Sequence, residues 1–159
     1  LPVRFSAGKV WLAEQDVTDA IRTEDAGMNA SRVSALPAVR AALVALQHRF
    51  RQLPGLVADG RDMGTVIFPE APLKVFLTAS AAQRAQRRHK QLISKGISTT
   101  LDILRADLEA RDARDRSRSV APLVPAEDAL SLDNSALTIE ESVQTVLRWW
   151  QGKQPFGSA

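Results

Sequence analysis

Three guanidinium groups and a carboxylate crowd together near residue 115: Arg111, Arg114 and Arg118 at i, i+3 and i+7, with Asp115 among them. On a helix these arginines lie within about 60° of one another. Cations so placed repel unless an anion sits between them, and Asp115 can neutralise one and hold it in orientation. Asp112 and Arg116 point elsewhere and can pair at i, i+4. Far upstream, Asp59-Gly60-Arg61-Asp62 offers a second set. Arg61 presents a planar fork matched to a phosphate, and Asp62 presents acceptors matched to hydroxyls or amines. Arg87 and Arg88 make a third basic site. Phosphoryl transfer needs positive charge around the transferring group, and one engaged arginine contributes roughly 10³–10⁵ in rate. A solvated charged helix and a tight turn with a local ion pair account for the same residues, so residue types alone leave both readings open.

Composition narrows the choice. The chain has 159 residues, enough for one domain with a real core, and is 45% hydrophobic and 25% charged. Sixteen of the 21 basic residues are arginine, although the net charge is only +3. Bulk attraction to a polynucleotide is served by lysine as well, whereas bidentate phosphate recognition favours arginine. Five Phe, three Trp and no Tyr are thin material for stacking bases along a strand. Small phosphorylated ligands fit better than nucleic acid. No apolar run approaches the roughly 20 residues that cross a bilayer, and no secretory leader is visible. Cysteine is absent, which excludes disulfides and thiolate metal sites and agrees with a cytoplasmic location.

The elements that would carry these groups follow in order. Val3–Ser6 and Val10–Ala13, joined at Ala7-Gly8-Lys9, read as a small antiparallel meander, with a second turn at Glu14-Gln15-Asp16. Glu24–Ala35 is helix-prone. Pro37 opens a helix whose stripe of Val39, Leu43, Leu46, Phe50 and Leu53 must face a core, and Pro54-Gly55 stops it. Leu56-Val57-Ala58 reads as a buried strand delivering the Asp-Gly-Arg-Asp turn, where Gly60 lets the backbone bend sharply. In an open parallel sheet, ligands bind beyond such carboxyl ends. Leu73–Thr78 is a second strand. Ser80 caps a helix that Gly96 ends, and Arg84, Arg87, Arg88, Gln91 and Lys95 share one strongly basic face of it. Residues 101–118 form the arginine-rich helix, Ala129–Asp133 a third strand, and the last helix places Ile139, Val143, Val146, Leu147 and Trp150 on one side, with a frayed tail from Gly152. Alternating strands and helices imply an α/β fold with a parallel sheet. His48 and His89 have no setting for catalysis, Trp149 and Trp150 read as cover for the core edge, and no metal-ligating cluster is visible.

Three segments together resemble bacterial cytidylate kinases: Asp59-Gly60-Arg61-Asp62-Met63-Gly64-Thr65-Val66, Pro72-Leu73-Lys74-Val75-Phe76-Leu77, and Glu109-Ala110-Arg111-Asp112 through Val120-Ala121-Pro122-Leu123. The likeness runs from about Val3 to Trp150. It implies transfer of the ATP γ-phosphoryl group, with Mg²⁺, to CMP or dCMP by a cytoplasmic enzyme that is monomeric when complete and needs neither nucleic acid nor membrane. By resemblance, residues 1–35 are the monophosphate-binding insertion, 36–86 and 121–152 the α/β core, 87–120 a helical lid and 153–159 a tail. Ser31, Arg40, Arg61 and Asp62 would hold CMP, Arg111 and Arg118 with Asp115 would close on ribose and phosphates, and Arg87 would lie against ATP.

One part of the family pattern is missing. Its members open with a strand and a Gly-x-x-x-x-Gly-Lys-Ser/Thr loop that cradles the ATP phosphates. Gly60 and Gly64 are too close together for it, and Gly8-Lys9 lacks the upstream glycine and following hydroxyl. The expectation is a C-terminal portion of such a kinase, without its first strand and phosphate loop, inactive by itself and with an exposed sheet edge. A non-catalytic nucleotide- or anion-binding module using the same arginines is the alternative.

Overall fold

The computed structural model describes residues 2–94, 96–117, 119 and 122–153. The chain divides into two compact units, Leu1–Ala58 and Asp59–Ala159.

In the first unit, β1 (Val3–Ser6), β2 (Lys9–Leu12) and β3 (Gln15–Asp16) form an antiparallel meander in that order. The β1–β2 turn is Ala7-Gly8, both with positive φ, which matches the twist of a two-residue hairpin. The second turn comes at Ala13-Glu14, earlier than expected, because Gln15 and Asp16 pair with Leu12 and Trp11. Trp11 lies opposite Arg4, whose guanidinium is 5.1 Å from the ring centre. From the alternate strand position, Phe5 packs edge-on against Phe50 at 5.5 Å.

A short turn at Ala20–Arg22 leads to α1 (Glu24–Val33), capped by the Thr23 hydroxyl on the Ala26 N–H. Pro37 opens α2 (Pro37–Arg49) as its sequence position required. The helix ends at Arg49, short of Pro54, where the Phe50 N–H turns back to the Gln47 and His48 carbonyls. The expected stripe is therefore cut short: Val39, Leu43, Leu46 and Phe50 are half-buried, but Leu53 is exposed.

The predicted strand at 56–58 does not form, and Val57 is fully exposed. An extended run becomes a strand only when another strand pairs with it, and no ladder reaches this one among the described residues.

In the second unit, β4 (Val75–Thr78) and β5 (Leu130–Asp133) pair in parallel, Val75 opposite Leu130 through Thr78 opposite Asp133. The α/β architecture with a parallel pair is as the alternating pattern implied. Helix α3 (Ala81–Ser94) starts where the Ser80 hydroxyl accepts the Gln83 N–H. It stops at Gly96, in the left-handed region at φ +74°, with the Gly96 and Ile97 N–H groups bonded to the Ile93 and Leu92 carbonyls. That is the Schellman arrangement, which favours glycine at this position. Helix α4 (Leu101–Ser117), capped by Thr100, packs on α3 through Ala85, Leu92, Leu104 and Leu108. Helix α5 (Ile139–Lys153) opens with a reciprocal capping box between Thr138 and Glu141 and stays helical through Gly152 to Lys153, so the predicted fraying from Gly152 is not seen there. No helix among the described residues is long and apolar enough to cross a membrane.

Candidate functional site

The Asp59–Gly64 turn is built by crowding rather than by an unusual backbone. The chain bends at Gly60, Arg61 and Asp62 as expected, without Gly60 entering the left-handed region. A Cβ there would meet Met63 Cε and Cγ at 2.8 and 2.9 Å, so a side chain at 60 would have to push the Met63 side chain aside. Asp62 is buried at 7% exposure, and its carbonyl accepts the N–H groups of Val66 and Ile67 to open a wide turn over Met63–Ile67. Gly64 lies against the stem of Lys74, 3.3 Å from the nearest carbons to a Cβ placed there. Lys74 in turn donates to both carboxylate oxygens of Asp128 at 2.8 and 2.9 Å, and its carbonyl accepts the Leu130 N–H. The Lys74 hydrogen bond holds the Asp128 carboxyl below its ordinary value. The turn that carries Arg61 and Asp62 is thus seated on the start of the parallel pair.

The other half of the site comes from α4. Leu104 and Leu108 face α3, and the same stripe, carried on by one and two turns, reaches Arg111, Asp112 and Asp115. Charges at such positions are costly to bury unless paired. Asp115 is 2% exposed and accepts the Nε–H of Arg61 at 3.0 Å. Its carbonyl accepts the Leu123 N–H at 2.8 Å. Arg61 keeps 42% of its side chain exposed, and among the described residues no acceptor meets either of its Nη groups. Arg111 is half-buried, and its Nε is buried with no hydrogen-bond partner among the described residues. A buried donor left unpaired costs about 1–3 kcal/mol. Two guanidinium groups, one pinned by a buried carboxylate and one with an unmet donor, are an arrangement an oxyanion would complete.

Several expectations about α4 change. Arg114 is exposed while Arg111 and Asp115 turn inward, so Arg114 parts from Arg111, and Arg118 lies outside the described residues. Asp112 takes Arg84 of α3, at 3.0 Å from Nη1 and 2.5 Å from Nη2, rather than standing on a solvated face for Arg116. A bidentate fork in a partly buried seam outweighs an exposed i, i+4 pair. The basic face expected on α3 is correspondingly reduced. Arg84 is neutralised by Asp112, and Arg87 donates to the Asn134 side chain at 3.0 Å and to the Asn134 carbonyl at 2.6 Å, fastening the loop after β5.

In the first unit, Ser31 and Arg40 flank the elbow between α1 and α2. The Ser31 carbonyl accepts the Ser34 hydroxyl at 3.0 Å, and Arg40 Nη1 donates to the Ser34 carbonyl at 3.3 Å. Among the described residues, no group of three histidines and carboxylates could hold a metal ion. The residues present also do not make an ATP phosphate cradle: the sequence has no Gly-x-x-x-x-Gly-Lys-Ser/Thr run.

Sequence reasoning missed the pairings themselves. Arg61–Asp115 and Lys74–Asp128 each span 54 residues, and Arg84–Asp112 spans 28. The signal available was the Leu104–Leu108 stripe, which continues into charged residues where apolar ones would pack.

Comparison with known proteins gives a consistent answer. The family model described as Cytidylate kinase matches residues 1–151. The chain is 57% identical over 155 residues to the cytidylate kinase of Cupriavidus necator, covering 98% of this chain and 70% of that protein. It is 58% identical over 154 residues to that of Ralstonia pickettii, covering 97% and 67%. With that of Chromobacterium violaceum it shares 56% over 157 residues, covering 99% and 71%.

Proposed function

The chain belongs to the cytidylate kinase family, and from that premise we infer that Arg61, Asp62, Arg111 and Asp115 bind a nucleoside monophosphate, CMP or dCMP, as the acceptor of a phosphoryl group. The observation that carries the reading is the Arg61–Asp115 pair, with Arg111 one helical turn from Asp115 and its Nε lacking a partner among the described residues. Asp115 takes one edge of the Arg61 guanidinium and leaves the Nη edge for a phosphate, which such a fork grips bidentately. Arg111 supplies a second positive group whose buried N–H gains an acceptor when the anion arrives. Placing cations around the transferring group before reaction is the main protein contribution in phosphoryl transfer. Arg118 is assigned to the same phosphates by resemblance.

The phosphoryl donor is ATP, with Mg²⁺, as family membership implies. No step is assigned to residues of this chain through either, because the residues present do not form their cradle. For the same reason the 159-residue polypeptide by itself turns over CMP little or not at all. Turnover at the rate of an intact kinase would overturn that. Ser31 and Arg40 carry substrate roles by family resemblance alone, which Arg40→Ala tests, and the same holds for Arg87 and ATP. The division into an insertion (1–35), a core (36–86 and 121–152) and a lid (87–120) rests on the same resemblance, as do a cytoplasmic setting and a monomeric state.

Arg111→Met, measured by calorimetric titration of CMP, tests the phosphate role. Loss of one charged hydrogen bond predicts roughly tenfold to hundredfold weaker binding. Unchanged affinity in a folded variant would overturn the assignment.

A further inference from the structure

Arg84 and Asp112 form a bidentate pair just beyond the apolar seam of α3 and α4. Arg84 uses its whole guanidinium: Nε donates to the Ala79 carbonyl at 3.1 Å, and Nη1 and Nη2 donate to the two oxygens of Asp112. Ala79 directly follows β4, so one side chain ties together the end of that strand, α3 and α4. The two side chains are 30% and 21% exposed.

Asp112 stands at the third rung of the series Leu104, Leu108, Asp112, spaced four residues apart. A leucine at that rung would continue the seam, and a partly buried ion pair is weak evidence of added stability over apolar packing. What the pair adds is direction, because a planar fork on a carboxylate fixes orientation as apolar contact does not. Past Leu108 the exposed Ala110 and Ala113 add no apolar packing to the seam. Arg111 is the neighbour of Asp112, and Asp115 lies one turn on. Each residue of helical rotation is 100°, so a small slip would carry both away from Arg61.

We propose that Arg84 and Asp112 are a positioning pair for the monophosphate site: they touch no ligand, and they fix the turn of α4 that presents Arg111 and Asp115. This rests on the reading of that site given above.

The test replaces direction with packing. Arg84→Met/Asp112→Leu keeps bulk in the seam and removes the fork. We expect a folded chain, of equal or higher melting temperature, that binds CMP about tenfold more weakly, as coupled neighbours do. Combined with Arg111→Met, the double replacement should cost less than it does alone, because part of its effect runs through Arg111. A merely structural pair gives a different result: CMP affinity stays at the wild-type value while the melting temperature moves. That outcome, with Arg111→Met weakening binding, overturns the positioning role and leaves the site reading intact. A folded wild-type chain that ignores CMP overturns the site reading and this proposal with it. Should the double replacement unfold the chain, Arg84→Lys serves, since it keeps the charge and loses the fork. Weaker CMP binding by folded Arg84→Lys supports the role, and unchanged binding overturns it.

Discussion

Arg61 and Asp115, separated by 54 residues, meet with Nε 3.0 Å from Oδ2, the carboxylate buried and the guanidinium half-exposed. The asymmetry gives the pair its use. The aspartate is fixed by the fold, and the arginine is held at one edge with the other turned outward.

Removing the charge of Asp115 should therefore loosen Arg61 without changing side-chain size. Asp115→Asn is expected to lower stability by about 1–2 kcal/mol, less than a fully buried pair would lose, because Arg61 reaches solvent. Urea denaturation measures this, and CMP affinity should fall in the same variant.

Gly60 should tolerate no side chain while Met63 stays in place. A Cβ would stand 2.8 Å from Met63 Cε and 2.9 Å from Cγ. Gly60→Ala is expected to cost about 1–3 kcal/mol through overpacking, and Met63→Ala in the same chain should recover much of it. Equal losses with and without Met63 would place the requirement elsewhere.

Much of the fold was readable because its causes are local. Pro37 at a helix start, Ser80 as a cap, Gly96 as a stop and the alternation in β1 and β2 act over a few residues, and each appears where its chemistry put it. Arg61, Arg111 and Asp115 were also visible as candidates, from residue type and spacing. What was hidden depends on distant partners. Leu56-Val57-Ala58 has strand composition but pairs with no strand among the described residues, and α2 ends at Arg49 without needing Pro54. Spacing placed Arg114 with Arg111, whereas Asp115 is buried against Arg61 and Arg114 is exposed. The basic face of α3 could not be discounted until Asp112 and Asn134 were seen to occupy Arg84 and Arg87.

The meander has its own acid sensitivity. The Thr18 hydroxyl, the Thr18 N–H and Lys9 together bring the Asp16 carboxyl from its ordinary 3.8 down to about 2. A depressed carboxyl stabilises the fold above its unfolded value and ceases to do so as pH falls through its folded one. This contribution is thus complete above about pH 4 and disappears towards pH 2. Unfolding curves at stepped pH should show it, and Asp16→Asn should flatten that window.

Lys74 offers a test of how the Asp59–Gly64 turn is seated. Lys74→Met keeps the stem against Gly64 but removes the bonds to Asp128, whose carboxyl should then rise towards its ordinary value. Carbon-detected NMR titration of Asp128 follows this directly. An unmoved titration would show that Lys74 is not what depresses it.

The site stands or falls most directly on calorimetric titration of CMP, with AMP for comparison, into the wild-type chain and Arg61→Ala, each checked for folding by circular dichroism. Saturable CMP binding, selective over AMP and lost in folded Arg61→Ala, is the predicted result. A folded wild-type chain that ignores CMP, or an Arg61→Ala chain that binds it as tightly as wild type, would contradict it.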